Sequence, residues 1–301
     1  MRIYGIALRG THGGMARIKD LVDSPDIEFH HEEKFSKSDW ETRASEIDEY
    51  DGILSQCFTH IPEPFRQKTV LFALGSTNRK LLDKPSIRDY FISNPTRELW
   101  VNNNTVRKAI HEKLGLDPLV MYRANDVYIP DVCPPAPKDR FILWYASPWN
   151  GCLQEHKSLA KEVIEALKPA GIKVFMAPHD TGWSCNQSHA IALGKVDIAS
   201  VLPLVHGMVR FGILGDFGRI NYDVVGQGKW TLNYDVDEPW MESVSPDSSV
   251  DDIVSQIVDL VDNDPEENRV DRWMYAKKYF STKGMSNKWR SELKRAFNYE
   301  Q

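Results

Sequence analysis

Residues 217–228 carry the most specific chemistry in the sequence. They read FGRINYDVVGQG and are followed by Lys229 and an apolar run. Gly218 and Arg219 open a helical pattern here, and a helix N-terminus holds anions such as a diphosphate through its backbone N–H groups. Asp223 lies about a turn and a half into that helix. Its carboxylate accepts hydrogen bonds from both vicinal hydroxyls of a ribose, so the segment predicts a site for a nucleoside diphosphate.

A second glycine-rich turn follows the first predicted strand and reads RGTHGG over residues 9–14. Gly13 and Gly14 allow the backbone to approach a ligand at the start of a helix. The spacing differs from the GxGxxG dinucleotide motif, so a plain tight turn is the alternative interpretation. His12 lies in this turn and His60 follows the third predicted strand. Each is a candidate general base or a structural histidine.

The composition is that of a two-domain globular chain. Its 301 residues exceed one typical domain of about 100–150 residues, and 42% of them are hydrophobic. No apolar run approaches the roughly 20 residues that span a bilayer. The four cysteines form no CxxC pair, so neither a zinc site nor a disulfide framework is favoured, and we expect a cytoplasmic setting.

The net charge of −6 conceals an uneven distribution near the end of the sequence. Residues 235–267 include twelve acidic residues and no Lys or Arg. Residues 269–295 include nine basic residues and two acidic ones. Two solvated helix faces are one interpretation. The other is a basic stretch that approaches a phosphate-bearing substrate.

Apolar runs alternate with helical patterns along the chain, which is typical of βαβ units and parallel sheets. The predicted strands are 2–8, 27–30, 52–56, 69–74, 99–102, 119–121, 141–145, 173–177, 198–204 and 229–233. The predicted helices are 15–22, 39–47, 62–67, 86–92, 105–114, 157–167, 188–193, 219–225, 250–261, 269–280 and 286–297.

Four prolines between residues 129 and 140 interrupt this alternation and make a stiff connection. We therefore predict an N-terminal domain over residues 1–135 and a C-terminal, nucleotide-binding domain over residues 136–284. Residues 285–301 are predicted to form a separate C-terminal helix.

Residues 217–228 resemble the donor-binding signature of family-4-type GT-B glycosyltransferases. In that signature an acidic residue, any residue and Phe-Gly precede four residues, a Glu and a small residue before a strand. Phe217 and Gly218 match the Phe-Gly pair, and Asp223 falls on the second acidic position, which grips the nucleotide ribose. Gly228 falls on the small residue that closes the helix.

Two positions depart from the family pattern. Gly215 stands at the first acidic position, which contacts the donor sugar, and Asp216 is the neighbouring carboxylate. Ser147 stands where the family has an Arg that contacts the diphosphate. Lys157 and Arg210 are the remaining candidate cations for that contact. Solvated or core-flanking cations are the alternative interpretation of both.

The resemblance implies an α/β protein of the GT-B fold, with two Rossmann-like βαβ domains facing each other across a cleft. The N-terminal domain would bind the acceptor, and the C-terminal helix would pack back toward it. His179 lies in the loop where related enzymes clasp the nucleotide base. The candidate catalytic residues are His12 and His60 on the acceptor side and Asp216 beside the donor sugar.

The resemblance also implies transfer of a sugar from a nucleoside-diphosphate sugar with retention of configuration. We expect a UDP-sugar as co-substrate and no tightly bound cofactor. We identify no Asp-x-Asp metal pair at a predicted strand end, so we expect metal-independent catalysis, as the resemblance implies.

Three alternatives concern the activity and the acceptor. A nucleotide-sugar 2-epimerase uses a similar two-domain frame, and a catalytically degenerate sugar-nucleotide-binding protein would tolerate the departures at Gly215 and Ser147. Compact chains of this type resemble bacteriophage enzymes that glycosylate hydroxymethylated DNA bases. The basic stretch 269–295 is the feature that such an acceptor would use. A soluble glycan, protein or small molecule is an equally open acceptor.

Overall fold

The computed structural model describes residues 1–7, 14–32, 34–36, 38–56, 61–74, 76–125, 127–145, 154–177, 189–193, 197–211 and 218–298, with the side chains of 76–79 and 154–157 left aside. Its strands are β1 Arg2–Ile6, β2 Glu28–Glu32, β3 Gly52–Ser55, β4 Thr69–Ala73, β5 Glu98–Val101, β6 Leu119–Val120, β7 Phe141–Tyr145, β8 Lys173–Ala177, β9 Ala190–Ala192, β10 Gly207–Val209, β11 Trp230–Tyr234 and β12 Glu242–Val244.

The helices are α1 Gly14–Val22, α2 Asp39–Thr42, α3 Ala44–Asp48, α4 Glu63–Arg66, α5 Ser76–Asp83, α6 Pro85–Ser93, α7 Asn104–Leu114, α8 Gln154–Ala166, α9 Ile198–Val201, α10 Arg219–Gly226, α11 Val250–Asp262, α12 Glu266–Tyr279 and α13 Thr282–Ala296. A single 3₁₀ turn, Leu202–Leu204, follows α9.

Contacts divide the chain into two compact units. The first is Met1–Asp126 with Thr282–Gln301, and the second is Val127–Ser281. Each contains one six-stranded parallel sheet, in the orders β2-β1-β3-β4-β5-β6 and β12-β11-β10-β7-β8-β9. The predicted α/β class with two Rossmann-like domains is therefore confirmed.

The C-terminal helix α13 belongs to the first unit because its Trp289 is part of that unit's core. Trp289 is buried and lies edge-on to Phe72 and Trp100, with ring centroids 5.1 and 5.8 Å away. Its indole N–H donates to the carbonyl of Tyr122 at 3.2 Å. The expected return of the last helix to the N-terminal domain is confirmed.

The sheet of the second unit is covered on both faces, which explains why its inner strands are almost wholly apolar. One face packs on α8 and α11 through Trp144, Val209 and Leu232. The other face packs on α9 and α10, and its core includes Leu143, Met208, Ile220 and Val224. Because side chains alternate along each strand, the register fixes which residues face α10.

The proline-rich stretch packs on the second unit. Trp273 of α12 donates to the carbonyl of Pro130 at 2.9 Å, and Arg269 donates to that of Pro134. The division between the units falls before this stretch, at residues 126 and 127. The assignment of acceptor and donor roles to the two domains stays a prediction.

Two predicted elements of the second unit were wrong. Residues 188–193 were predicted as a helix, but Ala190–Ala192 form the edge strand β9 beside β8. Residues 198–204 were predicted as a strand, but Asp197 caps a helix there by accepting from the Ala199 N–H at 3.1 Å. A short apolar run fits either element, and only the pairing partner decides between them.

Three further elements were not predicted from the sequence: α5, β10 and β12. Of these, β10 matters for the site, because Arg210 follows it directly. In the part of the chain that the structure describes, every helix is too short or too polar to cross a membrane.

Gly228 should tolerate no side chain. Its φ is +73°, and a Cβ there would lie 2.8 Å from the Arg269 carbonyl oxygen and 2.9 Å from Cys133 Sγ. We expect Gly228→Ala to lower the free energy of unfolding by about 2–4 kcal/mol, from backbone strain and steric clash together. Urea denaturation measures the loss.

Gly171→Ala is the matched control in the same unit. Its φ is +68°, but the nearest atom to an added Cβ is the Arg140 guanidinium, 3.7 Å away. This variant should lose about 1 kcal/mol, from the backbone strain alone. Equal losses in the two variants would show that the contacts around Gly228 are not tight.

Candidate functional site

Helix α10 begins where the sequence predicts. Gly218 is its N-cap, with extended backbone at φ −71° and ψ 161°. Ile220 and Val224 bury one side of the helix against the sheet. Because α10 follows β10, its N-terminus lies at the carboxyl edge of the sheet, where parallel α/β proteins bind ligands.

Arg210 lies at the same edge, immediately after β10. Its backbone N–H donates to the Leu232 carbonyl at 2.9 Å, which continues the pairing with β11. The side chain is buried, and its guanidinium carbon lies 5.7 Å from the ring centre of Tyr145, the last residue of β7. A Cβ on Gly218 would lie 3.0 Å from Arg210 Nη1, so the absent side chain makes room for the guanidinium.

The guanidinium of Arg210 and the N-terminus of α10 are two adjacent sources of positive charge. A helix N-terminus carries about half an elementary positive charge, and a guanidinium carries a full one. An anion placed between them would be attracted to both. Their donors match phosphate oxygens in geometry as well as in charge.

Asp223 lies on the same helix, on its partly exposed side. Arg219 is its ion-pair partner, with 3.5 Å between Nε and the carboxylate. Burial raises the pKa of Asp223 to about 6, Arg219 opposes that rise, and nearby Asp197 adds to it. A half-buried carboxylate of this kind gains from further hydrogen-bond donors.

Several predicted site residues lie outside the described residues. These are His12, Gly13, His60, His179, Asp216 and Phe217, and the side chain of Lys157. Gly14 is described and begins α1 in the first unit. A Cβ on Gly14 would lie 3.1 Å from the amide nitrogen of Gln56, so close packing accounts for this glycine.

Arg210, Gly218, Arg219 and Asp223 are the predicted site residues that the structure brings together. Arg210 and Gly218 are in contact, and Arg219 and Asp223 pair one helical turn apart. Two neighbours at this edge were missed, Tyr145 and Asn233. A signal for Asn233 was present, since an amide interrupts the otherwise apolar end of the run 229–234.

The expectation that no Asp-x-Asp pair ends a strand was wrong. Asp235-Val236-Asp237 directly follows β11. Asp235 has a left-handed backbone, with φ at +41°. Among the described residues, however, no group of three His, Cys, Asp or Glu side chains is arranged to hold a metal ion.

The basic stretch 269–295 is largely engaged within each unit. Eight of its nine cations contact a carboxylate, a backbone carbonyl or an aromatic ring of their own unit: Arg269, Arg272, Lys277, Lys278, Lys288, Arg290, Lys294 and Arg295. Trp289 is buried in a core. This arrangement favours the interpretation of the stretch as ordinary helix faces over that of a basic stretch that approaches a phosphate-bearing substrate.

No protein-family model and no curated protein matches the sequence. Solved structures do match. HepE of Anabaena, in complex with UDP and glucose, is 11% identical with a TM-score of 0.61, covering 97% of this chain and 98% of that one. A glycosyltransferase of Rickettsia africae is 12% identical with a TM-score of 0.63, covering 99% of each chain. At such identities the likeness shows the fold alone, which is that of GT-B glycosyltransferases.

Replacing Asp223 by Asn should stabilise the unliganded protein above pH 6. The carboxyl has a pKa of about 6 when folded and about 4 when unfolded, so the folded state holds its proton more tightly. The contribution of Asp223 to stability therefore falls as the pH rises from about 4 to 6, and stays low above that. Asn does not titrate, so the variant escapes this loss.

We expect Asp223→Asn to be more stable than the natural protein by on the order of 2 kcal/mol at pH 7.5. The difference should vanish near pH 4. Urea denaturation across this pH range measures it. A variant that is less stable at pH 7.5 would show that the carboxylate is well solvated or well paired.

Proposed function

We propose that this chain is a glycosyltransferase that moves a sugar from a nucleoside-diphosphate sugar to a hydroxyl acceptor. The observation that carries the proposal is the buried guanidinium of Arg210 against Gly218, the N-cap of α10. It lies at the edge of the sheet where ligands of open α/β proteins bind. HepE, which shares the fold, has been solved with UDP and with UDP-glucose, so a UDP-sugar is the favoured donor.

We assign the diphosphate to Arg210 and the N-terminus of α10, and the ribose to Asp223. Asp223 lies five residues beyond Gly218, about 7.5 Å along the helix axis. One nucleotide spans such a distance between its phosphates and its ribose. The two ribose hydroxyls would donate to the carboxylate and favour its ionised form, which burial disfavours in the free protein.

The chemistry of transfer requires stabilisation of the leaving group. The bond between the anomeric carbon and the diphosphate breaks, its electron pair leaves with the diphosphate, and the acceptor oxygen bonds to that carbon and loses its proton. Arg210 and α10 would neutralise the negative charge that develops. We therefore propose metal-independent transfer of a hexose or pentose. Retention of configuration rests on the resemblance of residues 217–228 to the family signature.

The remaining roles are proposals on residues outside the described part of the chain. His12 and His60 are the candidates for taking the acceptor proton, and Asp216 is the candidate for contacting the donor sugar. Gly13 and His179 are candidate donor contacts. For the acceptor, a hydroxymethylated DNA base stays one proposal, but the internal partners of the basic stretch 269–295 reduce its support. A hydroxyl of a glycan, a protein or a small molecule fits the same chemistry.

A nucleotide should stabilise the folded protein, and removal of the guanidinium should weaken that effect. We expect UDP to raise the melting temperature of the natural protein, since a ligand of the folded state stabilises it. Arg210→Met should weaken UDP binding by about 10–100-fold, because a charge-assisted contact is lost. Thermal shift and calorimetry measure both effects.

Lys173→Met is the matched control. Lys173 begins β8, at the opposite edge of the same sheet, and is exposed. Its replacement removes one positive charge from the same unit and should leave UDP affinity unchanged. If no nucleoside diphosphate shifts the melting temperature of the natural protein, the proposed function is wrong.

Turnover separates transfer from its two alternatives. We expect release of UDP from UDP-sugar, accelerated by the right acceptor, with soluble oligosaccharides and hydroxymethylated duplex DNA as the first acceptors to test. A 2-epimerase would change the sugar without acceptor-dependent transfer. If the protein binds the donor but releases no product with any acceptor tested, it is a binding protein. This alternative is favoured by Gly215 and Ser147, which replace an acidic residue and an Arg of the family pattern.

A further inference from the structure

Strand β11 places two polar side chains inside the layer between the sheet and α10. Trp230, Leu232 and Tyr234 pack into the core on the α8 and α11 side. Since side chains alternate along a strand, Thr231 and Asn233 lie on the other face, toward α10. The core of that face is apolar and includes Leu143, Met208, Ile220 and Val224.

Three polar side chains in this layer have atoms that lack a hydrogen-bond partner among the described residues. They are Nδ2 and Oδ1 of Asn221, Oγ1 of Thr231 and Nδ2 of Asn233. Buried amides and hydroxyls are nearly always bonded in folded proteins, so each of these atoms indicates a missing partner. A water molecule or a ligand atom is the natural candidate for that partner.

The three side chains differ in depth. Asn221 and Thr231 are fully buried, whereas Asn233 is 4% exposed. Asn221 and Thr231 offer donors and acceptors together, which suits an ordered water. The atom left over on Asn233 is a donor, and only Asn233 reaches the edge of the sheet.

The register places Asn233 beside Arg210. Val209 pairs with Leu232 on one side and with Trp144 on the other. One residue further along, Tyr145, Arg210 and Asn233 therefore lie at one level on adjacent strands, about 5 Å apart. All three occupy the face toward α10, and the guanidinium of Arg210 also borders Gly218.

We propose that Asn233 is a further donor-binding residue, whose amide N–H binds an oxygen of the diphosphate beside Arg210. This inference rests on the proposed function. The donors that meet at this edge are the guanidinium, the amide and the N–H groups of the helix N-terminus, and a set of donors selects an anion. Asn233 adds a directed bond without adding charge.

The test compares three probes that differ only in phosphate number: UDP, UMP and uridine. Asn233→Asp keeps the shape of the side chain and replaces the N–H donor by a negative oxygen. It should weaken UDP binding by at least about 100-fold and UMP binding by less, and leave uridine within about twofold. Asn233→Ala introduces no buried charge and should weaken UDP binding by about 10-fold. It provides the test if the Asp variant fails to fold.

Thr231→Val is the matched control, on the same strand and the same face but one step deeper. It should leave the affinity for UDP unchanged. Two results would overturn the assignment of Asn233 while UDP still binds the natural protein. One is a UDP affinity that is unchanged in both Asn233 variants. The other is a loss of UDP affinity that is matched by an equal loss of uridine affinity. A natural protein that binds neither UDP nor uridine overturns the proposed function, and the assignment with it.

Discussion

The contact between the Arg210 guanidinium and the start of α10 is the constraint on which the candidate site depends. A buried cation beside a helix N-terminus is unfavourable by itself, because both carry positive charge. Three features hold it there. Strand β10 must end directly before Arg210, the ring of Tyr145 must lie beside the guanidinium, and Gly218 must lack a side chain. The energy for this arrangement comes from the apolar packing of the sheet.

The same helix carries a second unfavourable group. Asp223 is half-buried, and ionisation at neutral pH costs free energy that its Arg219 partner only partly offsets. A nucleotide would contact both groups, its diphosphate at Arg210 and its ribose hydroxyls at Asp223, and its binding would offset the cost of burying them. Aromatic side chains pack against helix α10. Phe280, which follows α12, lies edge-on to both Tyr222 of α10 and Trp240, and the rings of Tyr222 and Trp240 are tilted by 30°.

The uneven charge near the end of the sequence has a structural explanation. Cations of α13 reach Asp26, the Asp23 carbonyl and Glu98 of the first unit. In the second unit, Arg272 joins a buried ion pair with Asp264 and bonds the Gly228 carbonyl. A charge run read along the chain takes no account of such partners. Their presence depends on which unit each helix joins.

By itself, the sequence determined the alternation of strands and helices, the glycine-bounded helix α10 and the position of Asp223 on it. These features are local, because hydrophobic period, turn residues and helix start signals lie within a few residues of one another. The tertiary structure alone decided the rest. Ala190–Ala192 became a strand only by pairing with β8. Arg210 could be seen in the sequence, but its place beside Gly218, Tyr145 and Asn233 depends on parallel pairing between strands that are far apart along the chain.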